Sequence, residues 1–206
     1  MNRTSDKTIE HRRELHGRIL ETAMPVFKKR GVKSVRMDDI AAMLSISKRT
    51  LYELFDTKEA LLLEGIKRSK EQMEAHLIEY AASGANEMDV LIEFLRVQMN
   101  GLQDVSPEYF TDINHYDSVM DYLHAKNDSH RERAREFTRR GIEHGYFIPT
   151  INYDIFTEIC DIMMEQVMKL RMYEKYPMTD IMRTIVSLLL RGCCTEKGRQ
   201  MLDKVL

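Results

Sequence analysis

MDDIAAMLSISKRTLYELF, running from Met37 to Phe55, is the stretch that decides the fold. Ile40, Ala41, Leu44, Ile46, Leu51 and Leu54 fall where two short helices crossing steeply must pack against each other. Ala41 is small where the helices come close, and Ser45 is small at the turn, where a bulky or β-branched side chain would resist the required backbone. Asp38 and Asp39 suit the positive end of the first of these helices. Ser47 supplies an N-cap for the second, which is predicted to run to about Phe55. Lys48, Arg49, Thr50, Tyr52 and Glu53 then face outward, a set matched to phosphates and base edges in a major groove. Arg49 suits bidentate donation to guanine and Lys48 a point charge for phosphate or guanine. Thr50 suits a thymine methyl or a phosphate, and the Tyr52 hydroxyl a phosphate. The pattern is a helix-turn-helix, coherent over the whole stretch.

On the N-terminal side, Leu15, Ile19, Ala23, Val26 and Phe27 share one helical face in a helix expected from Ile9 to Arg30, with Gly31 as its stop. Residues 1–8 are polar and are expected to lack regular structure. On the C-terminal side, Asp56 and Thr57 cap a long fourth helix from Lys58 to Tyr80. Residues 1–60 hold 13 Lys and Arg against 9 Asp and Glu, and residues 61–206 hold 18 against 24, so a +4 module precedes a −6 body. A basic module on an acidic body suits one part meeting a polyanion while the other does something else.

Beyond a break at Ala81–Glu87, Met88, Leu91, Ile92, Leu95, Met99 and Leu102 recur at helical spacing. Residues 107–126 and 128–144 read as two further helices. The charge run from Arg131 to Arg140 in the second is read as a solvated face. In 153–175 and 178–193 the apolar residues cover more than one face, including Ile155, Phe156, Ile159, Met163, Val167, Ile181, Ile185, Val186 and Leu188. Two such helices in succession are what a helical-hairpin dimer interface needs, the alternative being the core of a monomer.

With 9 Gly and 4 Pro in 206 residues, turn material is scarce and an all-α fold of about nine helices is expected. The division is an N-terminal three-helix DNA-binding domain at 9–57 and a C-terminal helical dimerisation domain at 58–206; resemblance to a known regulator family implies that the first is homeodomain-like and the second also ligand-binding. Cys160, Cys193 and Cys194 form no CxxC pair and read as reduced, structural thiols. The first fifteen residues lack an apolar run, so no signal peptide is expected and the localisation is read as cytoplasmic, without a membrane span. Nucleophile elbow, phosphate-cradling glycine loop and metal-ligand cluster are all missing, which argues against an enzyme. His115, three residues after Asp112, is too isolated to predict a metal site, and no cofactor is expected.

The sequence resembles the TetR family of bacterial transcriptional regulators. MDDIA, SKRTLYELF and the following DTKEALL (Asp56–Leu62) are similar to that family's N-terminal signature, and LLLRGCCTEKGRQMLD (Leu188–Asp203) is similar to the close of many members. The likeness is specific over 10–65 and architectural from 85 onward. It implies that Ser47, Thr50 and Tyr52 anchor phosphates, that Lys58 reaches a phosphate, and that Lys48 and Arg49 sit nearest the bases. Arg36 stands where many members carry Thr and Arg49 where Gly is common. With Met37 at the start of the second helix, these residues complete the expected DNA-contacting set. The resemblance further implies a homodimer on a palindromic operator, usually a repressor, released by a small-molecule effector that binds among helices four to eight. Phe94, Met99, Tyr109, Phe110, Tyr116, Tyr122 and Met163 are the pocket candidates. The alternative is a helical DNA-organising or interaction protein with no effector.

Overall fold

A computed structural model describes residues 3–125 and 128–204. Among these, regular structure is helical throughout, with one isolated antiparallel bridge between Phe147 and Cys194. The helices are α1 (Arg3–Arg30), α2 (Met37–Met43), α3 (Lys48–Tyr52), α4 (Lys58–Ala82), α5 (Glu87–Leu102), α6 (Pro107–Ile113), α7 (Asp117–His124), α8 (Asp128–Glu143), α9 (Tyr153–Lys169), α10 (Met178–Cys193) and α11 (Glu196–Leu202). A 3-10 turn at Met172–Glu174 follows α9.

The all-α class holds, and the count exceeds the expected nine for identifiable reasons. The stretch 107–126 is two helices, because the chain leaves α6 at Asn114 and re-enters a helix only after the extended Tyr116. The predicted helix 153–175 stops at Lys169, where Arg171 takes a left-handed conformation (φ 49°). Thr195 accepts a hydrogen bond from the Gly198 N–H and starts α11. At the other end α1 begins at Arg3, so the polar start is helical from that residue; Met1 and Asn2 lie outside the described residues.

The chain forms two compact units. The first comprises residues 1–71 and 104–125, the second residues 72–103 and 126–206; neither has an edge at residue 58. In the first unit, Ile19, Ala23 and Phe27 of α1, Val32, Val35, Ile40, Leu51, Leu61 and Leu62 are fully buried. Each of these side chains larger than alanine contributes roughly 1.5–3 kcal/mol by leaving water. Leu44, Ile46 and Leu54, expected inside, are only half-buried. The segment 104–125 packs on the end of α1 and the loop after it. The Ser106 N–H donates to the Lys28 carbonyl at 2.8 Å, and the Lys33 N–H donates to Asp112 Oδ2 at 2.7 Å. Gly31 makes this possible: its φ is +78°, and a Cβ there would lie 2.8 Å from Glu108 Cβ. Ser118 donates through N–H and Oγ to Glu59 Oε1, at 3.2 and 2.6 Å, joining α7 to the start of α4.

The second unit is built on Met88, Leu95, Tyr146, Phe147, Val186, Cys194 and Leu202. Glu87, 3% exposed, sits between His144 Nδ1 at 2.7 Å and the Arg140 guanidinium at 2.8 Å, joining the start of α5 to the end of α8. Burial of this carboxylate is offset by that pairing, and its pKa ends below the usual range. Asn86 caps α5 by accepting from the Met88 and Asp89 N–H groups. Cys193 and Cys194 are buried and Cys160 half-buried, all as free thiols. The hydrogen bond with Cys194 and burial hold Cys193 well above the usual thiol range.

Candidate nucleic-acid interface

The α2–α3 pair is shaped by three local devices. The Arg36 N–H donates to Asp39 Oδ2 at 2.9 Å, fixing the entry to α2. Ser45 takes φ 54° in the turn, a conformation a β-branched residue would resist. Ser47 Oγ accepts from the Thr50 N–H at 3.0 Å and lies 2.8 Å from Thr50 Oγ1, capping α3. With Leu51 fully buried beneath it, α3 presents Lys48, Arg49 and Tyr52 to solvent, with Thr50 half-exposed. Arg36 is exposed beside them at the head of α2.

The cations on this face are held by neighbouring acids. Lys48 Nζ pairs with Asp38 of α2, and Arg49 Nε donates to Glu53 Oε1 at 2.8 Å. The Glu53 partner raises the pKa of an already permanently charged Arg49.

Met37 and Lys58 are placed differently from the sequence expectation. Met37 is 7% exposed and belongs to the apolar interior. Lys58 Nζ donates to the carbonyls of Val32 at 2.7 Å, Val35 at 2.9 Å and Lys33 at 3.4 Å. Burial lowers its pKa and the charge of Asp112 opposes that shift. Its ammonium ties the start of α4 to the α1–α2 loop, rather than projecting outward from it. The physical reason is proximity: three carbonyls left without helical partners just past the end of α1 lie within reach of one ammonium.

The seven pocket candidates are divided between the units. Tyr109, Phe110, Tyr116 and Tyr122 are in the first. Tyr109 and Phe110 are buried, their rings edge-to-face at 5.8 Å, and burial pushes the Tyr109 hydroxyl up to about 12. Tyr116 is partly buried, and the Tyr122 ring lies under Lys67 and Lys70 at 5.4 and 5.3 Å. Phe94, Met99 and Met163 are in the second unit, all half-buried, with Phe94 packed against its apolar core. Among the described residues, no three His, Cys, Asp or Glu side chains are grouped to hold a metal ion, and no helix is long and apolar enough to cross a membrane.

A capped α3 with exposed Lys48 and Arg49, following α2 with its buried Met37, Ile40 and Ala41, is a helix-turn-helix arrangement of the kind DNA-binding regulators present. Known proteins with similar sequences and folds are of the same class. Residues 19–64 match the model of the bacterial regulatory proteins of the tetR family. An HTH-type transcriptional regulator of Bacillus subtilis, YfiR, is 28% identical over 150 residues, covering 69% of this chain and 72% of that one. The HTH-type transcriptional repressor KstR2 of Mycobacterium tuberculosis is 26% identical over 149 residues, covering 68% and 72%. Among solved structures, a TetR transcriptional regulator from Chloroflexus aurantiacus superposes with a TM-score of 0.57 at 18% identity, covering 87% of this chain and 97% of that one. The ketosteroid transcriptional regulator KstR2 does so at 0.52 and 20%, covering 88% and 95%. These two share the fold. Residues 19–64 thus carry the N-terminal signature of the tetR family, and the chain is similar to bacterial HTH-type transcriptional regulators.

Proposed function

We propose that the protein is a repressor that binds a palindromic operator as a homodimer and is released by a small-molecule effector. The carrying observation is the two-sidedness of α3, in which Leu51 is fully buried while the Arg49 side chain is 89% exposed. A helix so anchored can enter a major groove without rearranging its own core. In this reading Arg36, Ser47, Thr50 and Tyr52 hold phosphates and set the register, while Lys48 and Arg49 read base edges. Met37 acts from inside the head through packing, and Lys58 by bracing the loop that leads into α2. The +4 charge of residues 1–60 supports salt-dependent attraction to any duplex, on which base contacts superimpose preference.

The dimer reading draws support from an exposed apolar row. Ile155, Ile159 and Ile162 of α9 are 56%, 45% and 56% exposed at helical spacing, and Leu188 of α10 is also exposed. A row of this kind matches the demand of a second copy for a self-complementary apolar face. Two heads reading half-sites must stand about 34–36 Å apart on one side of the duplex, so a ligand that favours another spacing competes with the operator by linkage. The relative in Mycobacterium tuberculosis is named a repressor, and a structural neighbour a ketosteroid regulator; repression and a small-molecule effector are carried over by that likeness.

The test is a titration of selected duplexes with wild type and Arg49→Ala. Loss of preference at one base pair by about ten- to a hundredfold is expected for a bidentate contact. An unchanged preference, or a monomer in sedimentation at micromolar concentration, would refute the corresponding part.

A further inference from the structure

We propose that Glu53 is a positioning residue for base readout: it grips the Arg49 guanidinium by Nε and aims the two Nη groups at a base edge. The inference rests on the operator reading above and names a specificity-determining residue within it.

The geometry is specific. Glu53 lies one turn after Arg49 and keeps helical backbone angles (φ −70°, ψ −20°) beyond the last residue of α3. Its N–H donates to the Arg49 carbonyl at 2.9 Å, so both side chains emerge on one face. Its own carbonyl accepts from Arg12 Nη2 of α1 at 3.0 Å, which ties the end of α3 to the long first helix. The carboxylate is therefore presented from a backbone fixed on two sides. It takes Arg49 at Nε, and the Nη1–Nη2 edge is the one that meets guanine O6 and N7 end-on.

Lys48 is the contrast. Its ammonium is drawn back to Asp38 on α2, so the two adjacent cations are oriented differently by two different acids. An arginine carries much rotamer freedom, and a bidentate contact requires one orientation of its planar fork. A carboxylate beside DNA also repels every phosphate, which weakens binding to all sequences alike. Placing one next to the reading residue exchanges general affinity for discrimination, and it disfavours base pairs that offer acceptors to the carboxylate when Arg49 is misaligned. In water the pair is screened, since both side chains are more than half exposed. Exclusion of water from the groove strengthens the same charge-assisted bond.

The experiment uses the full chain. Selection from a randomised duplex library fixes the preferred site, and each single-base variant is then titrated with wild type, Arg49→Ala, Glu53→Ala, Glu53→Gln and the Arg49→Ala/Glu53→Ala double variant, with circular dichroism confirming the fold of each. Glu53→Ala is expected to flatten preference at the base pair that Arg49→Ala affects, by about tenfold, with no further loss in the double variant. Glu53→Gln keeps an oxygen for Nε and should retain most of the preference while binding every duplex more tightly. Uniform tightening by both Glu53 variants with preference intact would make Glu53 a plain repulsive charge and overturn the proposal. So would a change at a different base pair, which would make Glu53 a direct reader of cytosine N4. If wild type discriminates and Arg49→Ala does so equally, the Arg49 assignment fails and takes this one with it. If wild type does not discriminate among duplexes, the operator reading itself fails.

Discussion

Replacing Lys58 with Met removes an ammonium while keeping most of its apolar stem, and so isolates what the charge does. In the folded protein that ammonium serves the carbonyls of Val32 and Val35 at 2.7 and 2.9 Å, and that of Lys33 at 3.4 Å. Two of these are short enough to count fully. Hydrogen bonds to a charged group contribute about 1.5–3 kcal/mol each when formed, and a carbonyl left without a donor adds its desolvation cost. Against this stands the cost of partly burying the ammonium, which is the reason its pKa falls. The net expectation is a loss of about 2 kcal/mol. With a urea dependence of about 2 kcal/mol per molar, the unfolding midpoint should drop by about 1 M. Amide exchange in the loop 31–36 should accelerate in parallel, since that is the segment released. A midpoint shift below about 0.2 M would refute the reasoning, particularly if the dependence of operator affinity on salt fell by about one unit, because that pair of results identifies a phosphate ligand.

Three further outcomes are expected. Arg96 and then His76 hydrogen-bond the Glu93 carboxylate and hold its pKa at about 2, against 4.5 unperturbed, so its contribution to stability is complete above about 4.5 and lost as pH falls toward 2. Glu93→Gln should therefore flatten the acid limb of the stability profile, and unchanged acid unfolding would contradict the assignment. Gly198→Ala places a Cβ 2.4 Å from the Tyr146 carbonyl oxygen, a backbone atom that cannot swing aside, and should cost about 1–3 kcal/mol in a thermal melt. Ile159→Glu puts a charge in the exposed isoleucine row of α9 and should shift sedimentation from dimer to monomer; a monomeric wild type would remove the premise.

The head was legible because its signals are local. Ser47 as a cap, Gly31 as a stop, Ile40 and Leu51 inside and Lys48 and Arg49 outside all follow from spacing and turn chemistry within a few residues. The bonds Lys58 makes are not legible, because its carbonyl partners lie 23–26 residues earlier in the chain and such bonds leave no periodicity. Glu53 was visible as an outward residue, and its position four after Arg49 is a readable helical pairing, but only the side-chain geometry shows which guanidinium nitrogen it takes. The break between α6 and α7 carries no Gly or Pro, and neither does the left-handed turn at Arg171, so the sequence reads as continuous helix at both. The pocket candidates rest on residue type and on lying outside the expected dimer face, which does not distinguish a packed ring such as Tyr109 from a lining one.

The docking of 104–125 onto the end of α1 has a consequence for anyone wishing to transplant the head. A graft cut after residue 57 leaves behind Ser106 and Asp112, which meet the Lys28 carbonyl and the Lys33 N–H, and exposes Gly31 where Glu108 had covered it. The exchangeable part is discontinuous: residues 1–71 together with 104–125. A chimera that moves only the first segment asks a foreign α6 to fit a loop it was not shaped for, and its operator preference would be judged on a mis-seated head.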